Sequence, residues 1–216
     1  MEELLKTLAS TMNFAEGIPV IVGLYFYKKI KNTYWKWFLY YLAFIFCIEF
    51  LSYNEIIWDV SRIKYVYGFA VIPIEFLFLY WLYACKSLKN VNLFRWFSLV
   101  YLASFIPHLY LESEKTMVYS FNYVVGAFLL GILVFLEYLK QIQSDEIIRF
   151  KENMMFYINL GVSLLYVGTL PLFSFYAIVY KNNEIFTNYY VFFLLINQLM
   201  YLLFSMAFIW GKPNTY

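Results

Sequence analysis

Cysteine and histidine are nearly absent from this 216-residue chain, which has two of the first and one of the second. Cys47 and Cys85 fall in different apolar runs at different depths, so a disulfide between them is not expected. Together with His108 they are too few for a tetrahedral zinc site without carboxylate help. Charge is scarce as well. Asp, Glu, Lys and Arg make up 14% of the chain, against about 25% in a soluble domain, and a net charge of +2 is too weak to recruit nucleic acid. Glycine, alanine and proline are sparse beside abundant Phe, Tyr, Ile, Lys and Asn, the bias of an AT-rich bacterial genome. The acidic start Met1-Glu2-Glu3 lacks the basic region of a cleavable signal peptide, so the first apolar run reads as a permanent helix.

What fills the chain is apolar surface. It is 63% hydrophobic and 25% aromatic, with a mean hydropathy of +0.64. Seven apolar stretches, roughly 8–27, 35–54, 65–85, 94–111, 117–139, 154–180 and 189–210, are each long enough to cross a bilayer core of about 30 Å, the fourth only just. The expectation is an all-α, polytopic membrane protein: a single domain over 1–216 with seven transmembrane helices. Basic residues orient it. Lys28, Lys29, Lys31, Lys36, Lys86, Lys89, Arg95, Lys140, Arg149, Lys151 and Lys212 collect on one side, leaving Lys6, Arg62, Lys64, Lys115 and Lys181 on the other. The richer side is expected in the cytoplasm, with the amino terminus outside and the carboxy terminus inside, in a cell inner (plasma) membrane. Trp35, Trp37, Trp81, Trp96 and Trp210 mark the same edge, and Trp58 the opposite one.

Two connections have apolar character. Asn54–Lys64 reads as a short amphipathic segment on the outer surface. Gln141–Asn153 reads as a solvated loop with membrane-touching apolar residues, the alternative being a helical continuation of span 5. The prolines of spans 1 and 3 have no counterparts in spans 5 and 7, so no inverted repeat is visible.

The informative residues are polar ones inside the membrane. Glu16 and Glu75 sit near the middle of spans 1 and 3, and Glu49 in the outer half of span 2. His108 lies in the outer third of span 4, Asn122 in the outer part of span 5, and Asn197 just outward of the middle of span 7. An ionisable group at the bilayer centre costs on the order of 3 kcal/mol. Six such groups from six helices, all between middle and outer depth, are the candidate ligand-binding or proton-carrying set. The glutamates are expected to hold protons or to hydrogen-bond to His108, asparagine or tyrosine. The competing role is helix-to-helix packing, where polar bonds contribute about 0.6 kcal/mol each. Glu137, three residues before Lys140, reads as half of a surface ion pair. Pro19 follows Glu16 and Pro73 precedes Glu75, each freeing a backbone carbonyl one turn back. Ala127 with Gly131, and Gly161 with Gly168, read as close-packing sites. Tyr119 and Tyr123 are the tyrosines expected near the polar band.

Several seven-helix activities are excluded by missing residues. Span 7 has no lysine for a retinal Schiff base. Asp59 and Asp145 lie outside the spans, which removes an intramembrane aspartyl protease, and no Gly-x-Ser-x-Gly run surrounds any serine. No metal or cofactor is expected. Ile57-Trp58-Asp59 followed by Pro73-Ile74-Glu75-Phe76 resembles the Pro-x-Glu-Glu segment of membrane lycopene cyclases, with Phe76 in place of the second acid. In general character the chain resembles seven-helix inner-membrane proteins of Bacteroidota, a resemblance that implies no activity.

The leading functional expectation is a receptor-like sensory module. It would bind a small, partly apolar molecule in an outward-facing cavity and signal to a cytoplasmic partner, with membrane lipid around it. A proton-coupled small-solute transporter is the second expectation, and an enzyme acting on an isoprenoid lipid the third.

Overall fold

The computed structural model of the chain describes residues 2–53, 65–106, 120–144, 146–174 and 183–213. These are helical almost throughout. α1 is Glu2–Tyr25, α2 Tyr27–Ile30 and α3 Trp35–Tyr53. The third apolar run is one continuous helix of mixed geometry: a π-helical turn Tyr67–Val71, then α4 over Ile72–Tyr80, then a second π-helical stretch Trp81–Ser87. α5 is Val91–Ala103 and α6 Ser120–Gln143. A 3₁₀ segment, Glu146–Glu152, leads into α7, Met154–Val162, which continues as a third π-helical turn, Ser163–Val167. α8 is Leu170–Ser174 and α9 Asn183–Trp210.

Five helical segments among the described residues are long and apolar enough to cross a membrane: Thr7–Tyr25, Trp35–Ser52, Tyr67–Ser87, Phe121–Gln143 and Ile185–Trp210. The shorter apolar helices Val91–Ala103 and Met154–Val167 stand in the fourth and sixth predicted spans. This is the architecture of an all-α membrane protein. The predicted amphipathic segment 54–64, and with it Trp58, lies outside the described residues.

α1 packs on α9 and α3, and α7 on α9. Gly161 allows the second contact, because a β-carbon there would stand 3.0 Å from the Phe204 ring and 3.1 Å from Met200. Gly131 is looser: its nearest neighbour across the seam is Val167 at 3.6 Å. The core is largely aromatic. Phe76 is fully buried and meets the rings of Tyr80, Tyr101, Tyr123 and Tyr166 at 5.3–6.2 Å, while large apolar side chains such as Phe14, Ile21, Leu99 and Phe128 face outward. An inside-out distribution of this kind suits lipid surroundings, where exposed apolar surface costs nothing.

The described connections gather at one end of the bundle. Asn90 and Asn153 cap α5 and α7 there, each accepting a bond of 2.9 Å from a backbone N–H of the first turn. Lys29 reaches the last turn of α9 and donates to the carbonyls of Phe208 at 3.1 Å and Ile209 at 3.3 Å, completing groups the helix leaves open. Burial there, followed by the neighbouring Lys212, holds the Lys29 ammonium below the usual lysine range. Lys212 in turn grips Glu152 at 2.7 Å, and its backbone N–H donates to the Glu152 carbonyl at 2.6 Å. That side-chain hydrogen bond, and then the lysine charge, hold the Glu152 carboxyl below the usual carboxylate range.

Trp37, Trp96 and Trp210 are exposed at this end, but Trp35, expected beside them, is 1% exposed and packs on Phe38 and Tyr34. α3 starts at Trp35, so its first turn already faces the bundle. α6 stops at Gln143, and the 3₁₀ segment after it bears the exposed Ile148, so span 5 does not continue through the connection as one helix. Cys47 and Cys85 are free thiols.

Candidate functional site

Proline prepares the third helix for its acid. Pro73 has no N–H to offer the carbonyl four residues back, and the preceding turn is π-helical, a geometry often found at functional positions. α1 behaves differently, running unbroken past Pro19. Two residues after Pro73, Glu75 projects into the bundle. Tyr41 of α3 donates its phenol proton to Glu75 Oε1 at 3.0 Å, and Tyr166, from the π-helical turn after α7, donates to the same oxygen. Both phenols are fixed by their rings. Tyr41 lies flat on Phe78 at 4.3 Å with planes 8° apart, and Tyr166 packs against Phe76 and Tyr123.

The other two predicted acids lie within electrostatic range of Glu75. Glu49 lies two turns along α3 from Tyr41 and sits against the Tyr67 hydroxyl. Glu16 of α1 is 4% exposed, and its Oε2 has no hydrogen-bond partner. It lies within electrostatic range of both Glu49 and Glu75, and Tyr201 of α9 lies within range of all three. The three carboxyls, from three helices, therefore lie within electrostatic range of one another, and no ion pair to lysine or arginine reaches them among the described residues. Beside Glu75 is a void of about 10 Å³, lined also by Tyr41, Tyr166, Tyr201, Met200 and Phe204. That is the room one water needs.

The predicted asparagines fit less closely. Asn197 is buried one turn before Tyr201 on the same face of α9, and its Oδ1 has no partner. Asn122 is 2% exposed, and neither its amide nitrogen nor its oxygen is paired. It lies on the α6 face that meets α4 through Gly126 and Phe76, and no hydrogen bond ties it to the carboxyls. His108 and Tyr119 lie outside the described residues, and Tyr123 stacks on Tyr166.

Sequence reasoning missed the phenols that organise the centre, Tyr41, Tyr67, Tyr166 and Tyr201. Helical spacing carried the signal for two of them: Tyr41 is eight residues from Glu49 and Tyr201 four from Asn197, each pair on one helix face; between Tyr67 and Glu75 a π-helical turn breaks the period. With 23 tyrosines in the chain, that signal did not stand out. Tyr166 had no such marker.

Glu137 requires a correction. Lys140 does approach it, at 3.7 Å, yet the Glu137 side chain is 0% exposed. α6 turns this face onto the π-helical stretch Trp81–Ser87, and Ser87 donates to Glu137 Oε2 at 2.6 Å while Gln141 donates to Oε1 at 2.8 Å. The i, i+3 spacing showed the lysine but not the helix covering the pair. Among the described residues no three His, Cys, Asp or Glu side chains are grouped as metal ligands. No protein-family model, curated protein or solved structure matches this chain.

Proposed function

We propose that this chain is a proton-coupled carrier of a small solute in a bacterial inner membrane, with Glu75 as its proton-carrying group. The supporting observation is Glu75, held by two tyrosine hydroxyls beside a space for one water, with Glu16 and Glu49 within electrostatic range and no cation paired to them. Like charges repel strongly in a low-dielectric interior, so a carboxyl trio without a cation relieves itself by holding a proton. Phenols that donate to one carboxyl oxygen leave the other free to take up or release that proton. Removing a proton changes the repulsion among α1, α3 and α4, which couples protonation to the packing of three helices. In this reading all seven apolar runs span the membrane, with the basic end of the bundle in the cytoplasm.

The test uses proteoliposomes loaded with a pH-sensitive dye and exposed in turn to gradients of neutral sugars, amino acids and small carboxylates. At least one solute class should drive a proton flux that Glu75→Gln abolishes. Traces equal to those of protein-free vesicles for every class would end the carrier reading.

A second reading, a receptor-like module signalling to a cytoplasmic partner, draws support from the unpaired polar atoms of Glu16, Asn122 and Asn197, which a bound molecule would satisfy. Small-molecule pockets usually measure about 300–1,000 Å³, so the helices would have to part to admit one. Its signature is a rise in thermal stability with a small molecule and no accompanying solute flux.

A further inference from the structure

We infer that the basic end of the bundle binds an anionic phospholipid, on the face formed by the start of α3, the end of the third helix and the start of α5. The inference needs these helices to stand in a bilayer and does not depend on the carrier reading.

Positive charge at this end is unevenly matched. The chain has no acidic residue between Glu16 and Glu49, and none between Glu75 and Glu112, so the basic residues of 28–36 and 86–95 have no acid in their own connections. The connection 141–153 is different, with Asp145, Glu146 and Glu152 in sequence around Arg149 and Lys151. The ion pairs Lys140–Glu137 and Lys212–Glu152 also involve that later half of the chain. Lys36, Lys86 and Arg95 join no ion pair among the described residues.

The two acid-free connections meet in space. Phe78 of the third helix stacks on Tyr41 and Phe38 of α3, with ring centroids 4.3 Å and 6.4 Å apart. α5 packs on the π-helical stretch Trp81–Ser87 from the other side, and Lys86 and Arg95 both lie within electrostatic range of Cys85. Each of these adjacent elements carries a basic residue beside a tryptophan. Lys36 Nζ stands 5.8 Å over the Trp37 ring, Lys86 Nζ 5.0 Å over the Trp81 ring, and Arg95 directly precedes Trp96. Trp37 and Trp96 are exposed, and one turn further along α5 so are Leu99 and Val100.

These features fit one kind of partner. The ammonium and guanidinium groups match a phosphodiester. The tryptophans suit the headgroup level, and the exposed face of α5 offers an apolar path for an acyl chain. A soluble anion would use the charges alone and leave the rings and Leu99 uncovered. A basic side chain near an anionic lipid surface raises affinity by about fivefold.

The experiment is native mass spectrometry of the full chain released from detergent micelles, titrated with phosphatidylglycerol or phosphatidylcholine. The parent should retain phosphatidylglycerol in preference. Lys36→Gln combined with Arg95→Gln should weaken that retention by about twenty-five-fold and leave phosphatidylcholine unchanged. Arg149→Gln combined with Lys151→Gln removes the same charge from the acid-bearing connection and should match the parent. Glycerophosphoglycerol, the same headgroup without acyl chains, should not displace the lipid at equal concentration. Equal retention of the two lipids by the parent overturns the inference, as does unaltered retention in the Lys36–Arg95 pair. An equal loss in the Arg149–Lys151 pair would reduce the effect to overall charge and also overturn it. Displacement by the free headgroup would show a site for a soluble phosphate ester in place of a lipid. None of these readouts measures solute flux, so the carrier reading stands or falls separately.

Discussion

Gly126→Ala measures how rigidly the aromatic wall behind Glu75 is held. A β-carbon at Gly126 would stand 2.7 Å from two carbons of the Phe76 ring, about 1 Å inside an ordinary carbon–carbon contact. Phe76 has little room to yield, because it is fully buried among Tyr80, Tyr101, Tyr123 and Tyr166. The backbone has its own reason to stay: Tyr80 donates to the Gly126 carbonyl at 2.8 Å. Overpacking of this kind costs about 1–3 kcal/mol, offset by up to about 1 kcal/mol for replacing a helical glycine with alanine. The net loss is about 1–2 kcal/mol, which for a domain of this size lowers the melting temperature by about 2–8 °C. Gly131→Ala is the matched control on the same helix. Its β-carbon would meet Val167 at 3.6 Å, an ordinary contact, so it should match or exceed the parent. The assay is thermal unfolding of both variants in one detergent. If Gly126→Ala melts as high as Gly131→Ala, the wall is soft and the steric argument is wrong.

Tyr166→Phe and Tyr41→Phe each remove a donor from Glu75 Oε1. Each should cost about 0.6 kcal/mol and at most about 1.7 in a membrane setting, and the pair should deviate from additivity in a double-mutant cycle, because both bonds end on one oxygen. Asn153→Ala removes the side chain that caps α7 through Met155 and should destabilise by about 1 kcal/mol, read as a lower melting temperature that Asn153→Asp largely avoids. The Glu152–Lys212 clip should be sensitive to acid. The folded carboxyl lies below its ordinary value of 4.5, so the clip's contribution is present above about that pH and fades as pH falls through the lowered value. Proteolysis at the carboxy-terminal end should accelerate over that interval in the parent and be pH-independent, and already fast, in Glu152→Gln.

Helical architecture was legible because apolar runs of membrane length leave few alternatives, and each of the five longest described helices overlaps a predicted run, with ends displaced by up to four residues. The three acids were legible by cost: nothing but structure or function keeps a glutamate at that depth, and Glu16 lies within electrostatic range of the other two. Their partners were harder to read. A 3.6-residue period assumes a uniform helix, whereas the third helix and α7 contain π-helical turns. Those turns rotate every later residue of the same helix, so Glu137 and Ser87, fifty positions apart, could not be paired on paper. Trp35 shows a related limit: a tryptophan at a helix start signals an interface only if that turn faces outward.

The wide turn at Ser163–Val167 has a bearing on which changes the chain can tolerate. Its hydrogen bonds span five residues instead of four, so it stores one amino acid beyond the regular count. Removing one of the five would let the segment close to regular α-helical turns, so the extra residue is what sets the spacing at which Tyr166 meets Glu75. Spacing, more than residue identity, is what this stretch preserves.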